Sequence, residues 1–165
     1  MARISNLKIS VKCHGCFSPR FLNTDSKRNF SVIRRKFTYI IFKVCERNQE
    51  SGQHVNITKI RTFGQVKESL HELKTMLLWG EISTPIIDNI TASFDLGRHL
   101  ILNSVYLRLK KLYKSVRYCP QRFPGLFLKI NLGSALIFSS GKVCLVGFKH
   151  IEDIEKTEQA IKKSV

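Results

Sequence analysis

Ile87-Asp88-Asn89-Ile90-Thr91-Ala92-Ser93-Phe94 repeats, at an offset of 83 positions, the pattern of Ile4-Ser5-Asn6-Leu7-Lys8-Ile9-Ser10-Val11. In both stretches apolar and polar residues alternate with period two, which predicts strands covered on one face. The correspondence continues downstream. Phe30-Ser31-Val32-Ile33-Arg34-Arg35 echoes Phe123-Pro124-Gly125-Leu126-Phe127-Leu128-Lys129, and Tyr39-Ile40-Ile41-Phe42 echoes Ala135-Leu136-Ile137-Phe138. Val55-Asn56-Ile57-Thr58 then matches Val143-Cys144-Leu145-Val146. Each copy closes on a helical stripe, Val66, Leu70, Leu73 and Leu77 in the first and Ile151, Ile154, Glu158 and Ile161 in the second.

Such duplication is read before anything else, because it sets the architecture. Two units of strand, helix, three strands and helix predict an α+β fold: one antiparallel sheet with helices on one face. The first, diverged repeat spans 1–80 and the second 85–165, both within a single domain. Trp79 to Pro85 is the expected connector, with Gly80 ending a helix and Pro85 unable to donate into the next strand. The copies differ in their insertions. Between Asn89 and Phe123 a helix is expected, with Leu102, Val105, Leu109, Leu112, Tyr113 and Val116 on one face. The first copy has instead a polar hairpin tip at 46–53.

The covered face takes the bulky aliphatics. The other is expected to present Asn6, Lys8, Ile40, Phe42, Asn56, Thr58, Asn89, Thr91, Leu136, Phe138, Cys144 and Val146. A surface mixing small polar, aliphatic and aromatic groups is rarely left bare without a partner. The chain's 165 residues carry 28 Lys and Arg against 12 acids, a formal charge of +16, so that partner is polyanionic. Charge alone leaves both nucleic acid and an acidic membrane open.

Other classes fall away. No apolar run approaches the roughly 20 residues of a membrane span, and the alternating N-terminus, broken by Lys8 and Lys12, lacks the apolar core of a signal peptide. Five cysteines without framework spacing fit reduced thiols better than a disulfide scaffold. Cys13-His14-Gly15-Cys16 is one C-x-x-C where tetrahedral zinc wants four ligands, so a tight turn is the better expectation and no metal or cofactor is assigned. The histidines are scattered, no nucleophile–base grouping can be placed, and no glycine-rich phosphate loop is present. The chain does not read as an enzyme.

Tyr118-Cys119-Pro120-Gln121-Arg122-Phe123-Pro124-Gly125-Leu126, followed by Ala135-Leu136-Ile137-Phe138-Ser139-Ser140-Gly141-Lys142-Val143-Cys144-Leu145-Val146-Gly147-Phe148-Lys149, resembles the core of the TATA-box-binding protein family. The pattern there is close to Y-E-P-E-L-F-P-G-L, then L-I-F-S-S-G-K and a strand ending T-G-A-K. The second half matches over nearly its full length and the first in fragments, as in a diverged member, viral or otherwise. The resemblance implies a saddle in which two pseudo-symmetric repeats form one curved antiparallel sheet, with helices on the convex face and double-stranded DNA under the concave one. Phe30 with Phe42, and Phe123 with Phe138, would wedge into base steps from the minor groove, each ring replacing a lost stacking contact. Taken alone, all four would pass as core aromatics; the duplicated spacing is what argues otherwise.

By the same resemblance, Asn6 and Asn89 would donate to the acceptors of an A·T minor groove, flanked by Thr58 in the first half and Val146 in the second. Lys8 stands where the family has a small apolar residue, and Thr91 matches it in the other copy. Leu136 lies beside Phe138 on the same face. Lys129, Lys142 and Lys149 match phosphate-contacting positions, Arg61 corresponds to Lys149, and Arg34 and Arg35 would flank the backbone near Phe30. The implied function is transcription initiation in the nucleus: binding and kinking A/T-rich promoter DNA to nucleate assembly with general transcription factors or RNA polymerase components. The family's contact with transcription factor IIB is altered, since Cys119, Gln121 and Arg122 replace two glutamates and a leucine. The competing reading is a protein-interaction scaffold of the same fold, or a single-stranded nucleic-acid binder, that leaves duplex DNA straight.

Overall fold

The computed structural model describes residues 1–17, 30–34, 39–43, 53–130 and 132–165. Of the expected hairpin tip at 46–53, residues 46–52 lie outside these, as does Arg35, while Gln53 opens a strand. The chain divides into two compact units, Asn6–Asp88 and a second made of Met1–Ser5 with Asn89–Val165. The class is α+β, as the repeats predict.

In the first unit, β1 (Arg3–Phe17) pairs antiparallel with β4 (Gln53–Ile60), which pairs with β3 (Tyr39–Lys43), which pairs with β2 (Phe30–Arg34). Leu7, Ile9, Val11 and Cys13 of β1 and Val55, Ile57 and Ile60 of β4 are buried together with Leu73 and Met76 of α1 (Phe63–Met76). Thr62 caps α1 by accepting from the Gln65 N–H at 3.3 Å, while Gln65 Oε1 accepts from the Arg61 N–H at 2.8 Å. This reciprocal cap fixes where the helix begins.

Two expectations are corrected here. The helix stops at Met76 instead of running on to a stop at Gly80, and Leu77–Ile82 forms a further strand, β5, paired with the second half of β1. Gly80 lies inside that strand, opposite Gly15. The C-x-x-C segment is therefore extended strand, not a turn, because β5 supplies its backbone partners. Cys13 is fully buried and burial pushes its thiol up to about 11, leaving little thiolate for metal or redox chemistry. Among the described residues no three His, Cys, Asp or Glu side chains gather as a metal site, and no helix is long and apolar enough to cross a membrane.

In the second unit, β6 (Ile86–Asp95) pairs with β10 (Lys142–Phe148), followed by β9 (Gly133–Ile137), β8 (Leu126–Ile130) and the short β7 (Val116–Arg117). Ile90, Ala92, Leu126, Leu128, Ala135, Ile137, Val143, Leu145 and Phe148 form the covered face. Leu102, Val105 and Leu109 of α2 (Leu102–Leu112) and Ile154 and Ile161 of α3 (Ile151–Ser164) complete the core. Leu112, expected on the buried stripe, is 61% exposed: α2 ends there and the chain turns extended at Tyr113.

Glu158 sits in the apolar stripe of α3 and is buried. Its Oε1 lies 2.7 Å from Lys162 Nζ and its Oε2 accepts the Ala2 N–H at 2.7 Å, with the Met1 amine at 3.2 Å. Burial alone would push the carboxyl up. The hydrogen bonds from Lys162, Ala2 and the terminal amine outweigh it and hold the group below the usual glutamate range.

Both units carry the same irregularity. Leu7 pairs with Ile60 and Ile9 with Ile57, so β4 has one residue too many. Likewise Leu145 pairs with Ala92 and Phe148 with Ile90, leaving an extra residue in β10. These are β-bulges, and each contains one residue at positive φ: Lys59 at 67° and Gly147 at 86°. The bulges explain why the buried residues are spaced by three, Ile57 to Ile60 and Leu145 to Phe148, within otherwise alternating strands.

Two stability tests follow. A β-carbon on Gly147 would meet nothing nearer than Gly133 Cα at 3.8 Å. Gly147→Ala is thus expected to cost only the backbone penalty of a left-handed residue, about 1–2 kcal/mol, in urea unfolding; an unchanged midpoint would contradict the bulge. Glu158's charged form is favoured in the folded state, so its contribution is present above the unfolded pKa and disappears as pH falls through the lowered folded value. Glu158→Gln should lower the unfolding midpoint at neutral pH and flatten the acid limb below about pH 4.

Candidate nucleic-acid interface

Alternate residues of the second unit's strands are only half-buried. They are Asn89, Thr91 and Ser93 on β6, Cys144 and Val146 on β10, Leu136 on β9 and Phe127 on β8. Register joins them across the sheet: Ser93, Cys144, Leu136 and Phe127 form one row, and Val146, Ser134 and Lys129 the next. Phe127 escaped the sequence reading of this face, although buried Leu126 and Leu128 on either side of it carry the signal. Phe138 continues the face beyond β9, and Lys129, Lys142 and Lys149 are exposed.

The first unit repeats the arrangement on β1 and β4. Asn6, Lys8 and Ser10 are half-buried between buried Leu7, Ile9 and Val11; Asn56 and Thr58 are half-buried, with Asn56 opposite Ser10. Arg61, just past β4, is exposed. The register of β3 departs from expectation. Ile41 and Tyr39 stand opposite Asn56 and Thr58, while Ile40 and Phe42 stand opposite buried Ile57 and Val55. Phe30 is opposite Lys43 and Phe42 is opposite Ser31, so the two phenylalanine positions are one step out of register. The cause is visible in the residues: Tyr39-Ile40-Ile41-Phe42 is apolar at every position, so alternation cannot fix its phase, and one step exchanges the faces.

The two asparagines are held by the bulges. Asn6 Oδ1 accepts the Lys59 N–H at 2.7 Å and the Thr58 hydroxyl at 3.3 Å. Asn89 Oδ1 accepts the Gly147 N–H at 3.0 Å, and its Nδ2 donates to Thr91 Oγ1 at 3.4 Å. A backbone N–H can only donate, so it compels the amide oxygen to face the bulge and turns Nδ2, a pure donor, the other way. This fixes an amide that would otherwise be free to flip.

The Phe123 and Phe138 rings meet edge to face, with centroids 5.9 Å apart and planes inclined at 64°. Phe123 is 42% exposed, a large fraction for a phenylalanine. Gly125 makes room for the pair: a β-carbon there would lie 2.7 Å from the Phe123 ring and 3.0 Å from that of Phe138. Each ring sits on an anchored tip. The Arg122 and Phe123 N–H groups both donate to the Cys119 carbonyl; Phe138 and Lys142 close the β9–β10 hairpin, which the Leu96 and Leu100 N–H groups grip through Gly141 and Ser139. Cys119 and Gln121 touch through Sγ and Oε1 at 3.5 Å, and Arg122 beside them is exposed.

Residues 84–165 match the family model described as "Transcription factor TFIID (or TATA-binding protein, TBP)". A TATA-box-binding protein of Picrophilus torridus is 38% identical over 79 residues, 47% of this chain and 41% of that protein. One from Thermoplasma acidophilum is 40% identical over 77 residues, 46% of this chain and 40% of its own length. The chain thus spans about two fifths of the length of these relatives. TATA-box-binding protein 1 of Methanosarcina acetivorans is 29% identical over 147 residues, 80% of this chain and 77% of that protein. The solved structure of Methanococcus jannaschii TBP shares the fold, with a TM-score of 0.76 at 21% identity, covering 99% of this chain and 97% of that one. With the family's repeat in residues 84–165 and its fold over nearly the whole length, the chain belongs to the TATA-box-binding protein family.

Proposed function

We propose that this chain is a transcription initiation factor that binds the minor groove of A/T-rich promoter DNA and kinks it by inserting phenylalanine rings. The observation that carries the reading is the pair of asparagine amides held by bulge N–H groups. Their fixed donors suit a groove edge that offers only acceptors, and a guanine amino group facing them would be left opposed to another donor. Phe123 and Phe138 supply a wedge at one end of the site. In the first repeat Phe30 alone is assigned such a role, since Phe42 stands opposite buried Val55, and Thr58, Thr91, Leu136 and Val146 line the groove between.

Lys8, Arg61, Lys129, Lys142 and Lys149 are assigned to the groove walls and phosphates. General transcription factors or RNA polymerase components would then assemble on the bent complex. Arg122 beside Cys119 and Gln121 gives the expected transcription factor IIB surface a cation where the family has none, which favours a changed partner contact. The working location is wherever the host keeps its promoters, the nucleus in a eukaryote.

Energy transfer across an end-labelled TATA duplex tests the reading. Binding should raise the transfer as the ends approach, and Phe123→Ala with Phe138→Ala should abolish the rise while leaving residual affinity. With about eight phosphates neutralised, log K should fall against log salt with a slope of about −7. A duplex that is bound but stays straight, or a preference for single strands, would favour the scaffold or single-strand reading instead.

A further inference from the structure

The repeat offset that carries Asn6 to Asn89 also carries Ser5 to Asp88 and Lys8 to Thr91. In one compact unit Ser5 Oγ donates to the Thr91 carbonyl at 3.1 Å. In the corresponding pair of the other unit, Lys8 Nζ lies 3.4 Å from Asp88 Oδ2. An uncharged contact in one compact unit is thus an ion pair in the other. Ser10 Oγ donates to Asp88 Oδ1 at 3.0 Å, which steadies the carboxylate from a second side. Lys8 and Ser10 both belong to the half-buried set of β1 that also holds Asn6.

The pair is not sealed. The Lys8 side chain is 42% exposed and that of Asp88 32%. A carboxylate has about four lone-pair sites, of which Lys8 and Ser10 engage two, and an ammonium has three protons, of which Asp88 takes one. Donor and acceptor capacity remain side by side. In the minor groove an A·T pair offers only acceptors, whereas a G·C pair offers acceptors at guanine N3 and cytosine O2 with the guanine N2 amino donor between them. The two asparagines, as fixed donors, oppose that amino group; a carboxylate would accept it.

We infer that Lys8 and Asp88 read a single G·C pair inside the otherwise A/T-rich site, Asp88 accepting the guanine N2 amino proton and Lys8 donating to the neighbouring acceptor. This rests on the minor-groove reading above. It makes the two half-sites unequal, because Thr91 and Ser5 at the matching place carry no carboxylate.

The test is a binding scan by fluorescence anisotropy in which each base pair of a TATA duplex is replaced in turn by G·C or by inosine·C, which lacks only the N2 amino group. The wild-type protein should bind G·C at least as tightly as inosine·C at one position and more weakly elsewhere. Asp88→Ala should weaken the G·C duplex at that position by about tenfold, the weight of one hydrogen bond to a charged group, while A·T and inosine·C duplexes stay within about twofold. The wild-type scan needs no variant, so it decides the matter even if Asp88→Ala fails to fold. Discrimination against G·C at every position, with A·T duplexes still bound, would overturn this inference alone; equal losses on all three duplexes in Asp88→Ala would do the same. No binding to any duplex would overturn the minor-groove reading with it.

Discussion

A backbone N–H at positive φ, aimed at an asparagine side chain, is the contact on which the rest of this molecule depends. A cationic chain binds phosphates with little regard for sequence, and charge alone cannot make it select a base pair. Selection needs donors whose direction is fixed before DNA arrives. An asparagine amide offers a donor and an acceptor at nearly the same place, and rotating it by half a turn exchanges them. The bulges at Lys59 and Gly147 remove that freedom. The price is local: Lys59 holds a conformation that disfavours any side chain with a β-carbon, whereas Gly147 holds it at no such cost. The strain in the first repeat is therefore tied to a specific hydrogen bond, the 2.7 Å contact from Lys59 to Asn6.

The aromatic pair obeys a different constraint, which is space. Phe123 and Phe138 can meet edge to face only because Gly125 beneath them has no side chain. Such a contact is worth about 0.5–1.5 kcal/mol beyond area burial. Unstacking a base step costs a few kcal/mol and bending a duplex about 1–6 kcal/mol, figures general to wedge-type minor-groove binders. On the proposed reading, a ring pair already half out of the core would lose little on leaving its neighbour and would regain contact on an exposed base. Anchoring both tips by backbone hydrogen bonds keeps that exchange from being spent on reordering the loops.

How much of this was legible in the residues depended on contrast between faces. In β6 from Asn89 onward, in β8 and in β10 up to its bulge, buried positions alternate with more open ones, so strand phase, core and open face all followed. Asn6 and Asn89 stood out by their repeat setting, yet their bulge partners did not: nothing in Val55 to Ile60 announces that Lys59 turns to positive φ. The matching Gly147 was the available hint. In Tyr39-Ile40-Ile41-Phe42 the contrast vanishes and the phase with it. The strand at Leu77–Ile82 was concealed for another reason, since Leu77 also completes a helical spacing with Val66, Leu70 and Leu73. Only pairing with β1 decides the competition, and that is tertiary information.

The two repeats have diverged in complementary ways. Around Asn6, Thr58 and Lys59 both donate to the amide oxygen, and among the described residues neither proton of Nδ2 is engaged. Around Asn89, Val146 replaces the threonine, a single N–H holds the oxygen, and one amide proton is directed at Thr91. The unit Asn6–Asp88 therefore holds the doubly bonded amide and the charged pair Lys8 and Asp88, while the other holds the rings over Gly125. A symmetric ancestor would read both halves of a site alike. On the proposed reading, hydrogen bonding would be concentrated in one unit and wedging in the other, so erosion of the sequence match in the first repeat would accompany the more discriminating part of base recognition.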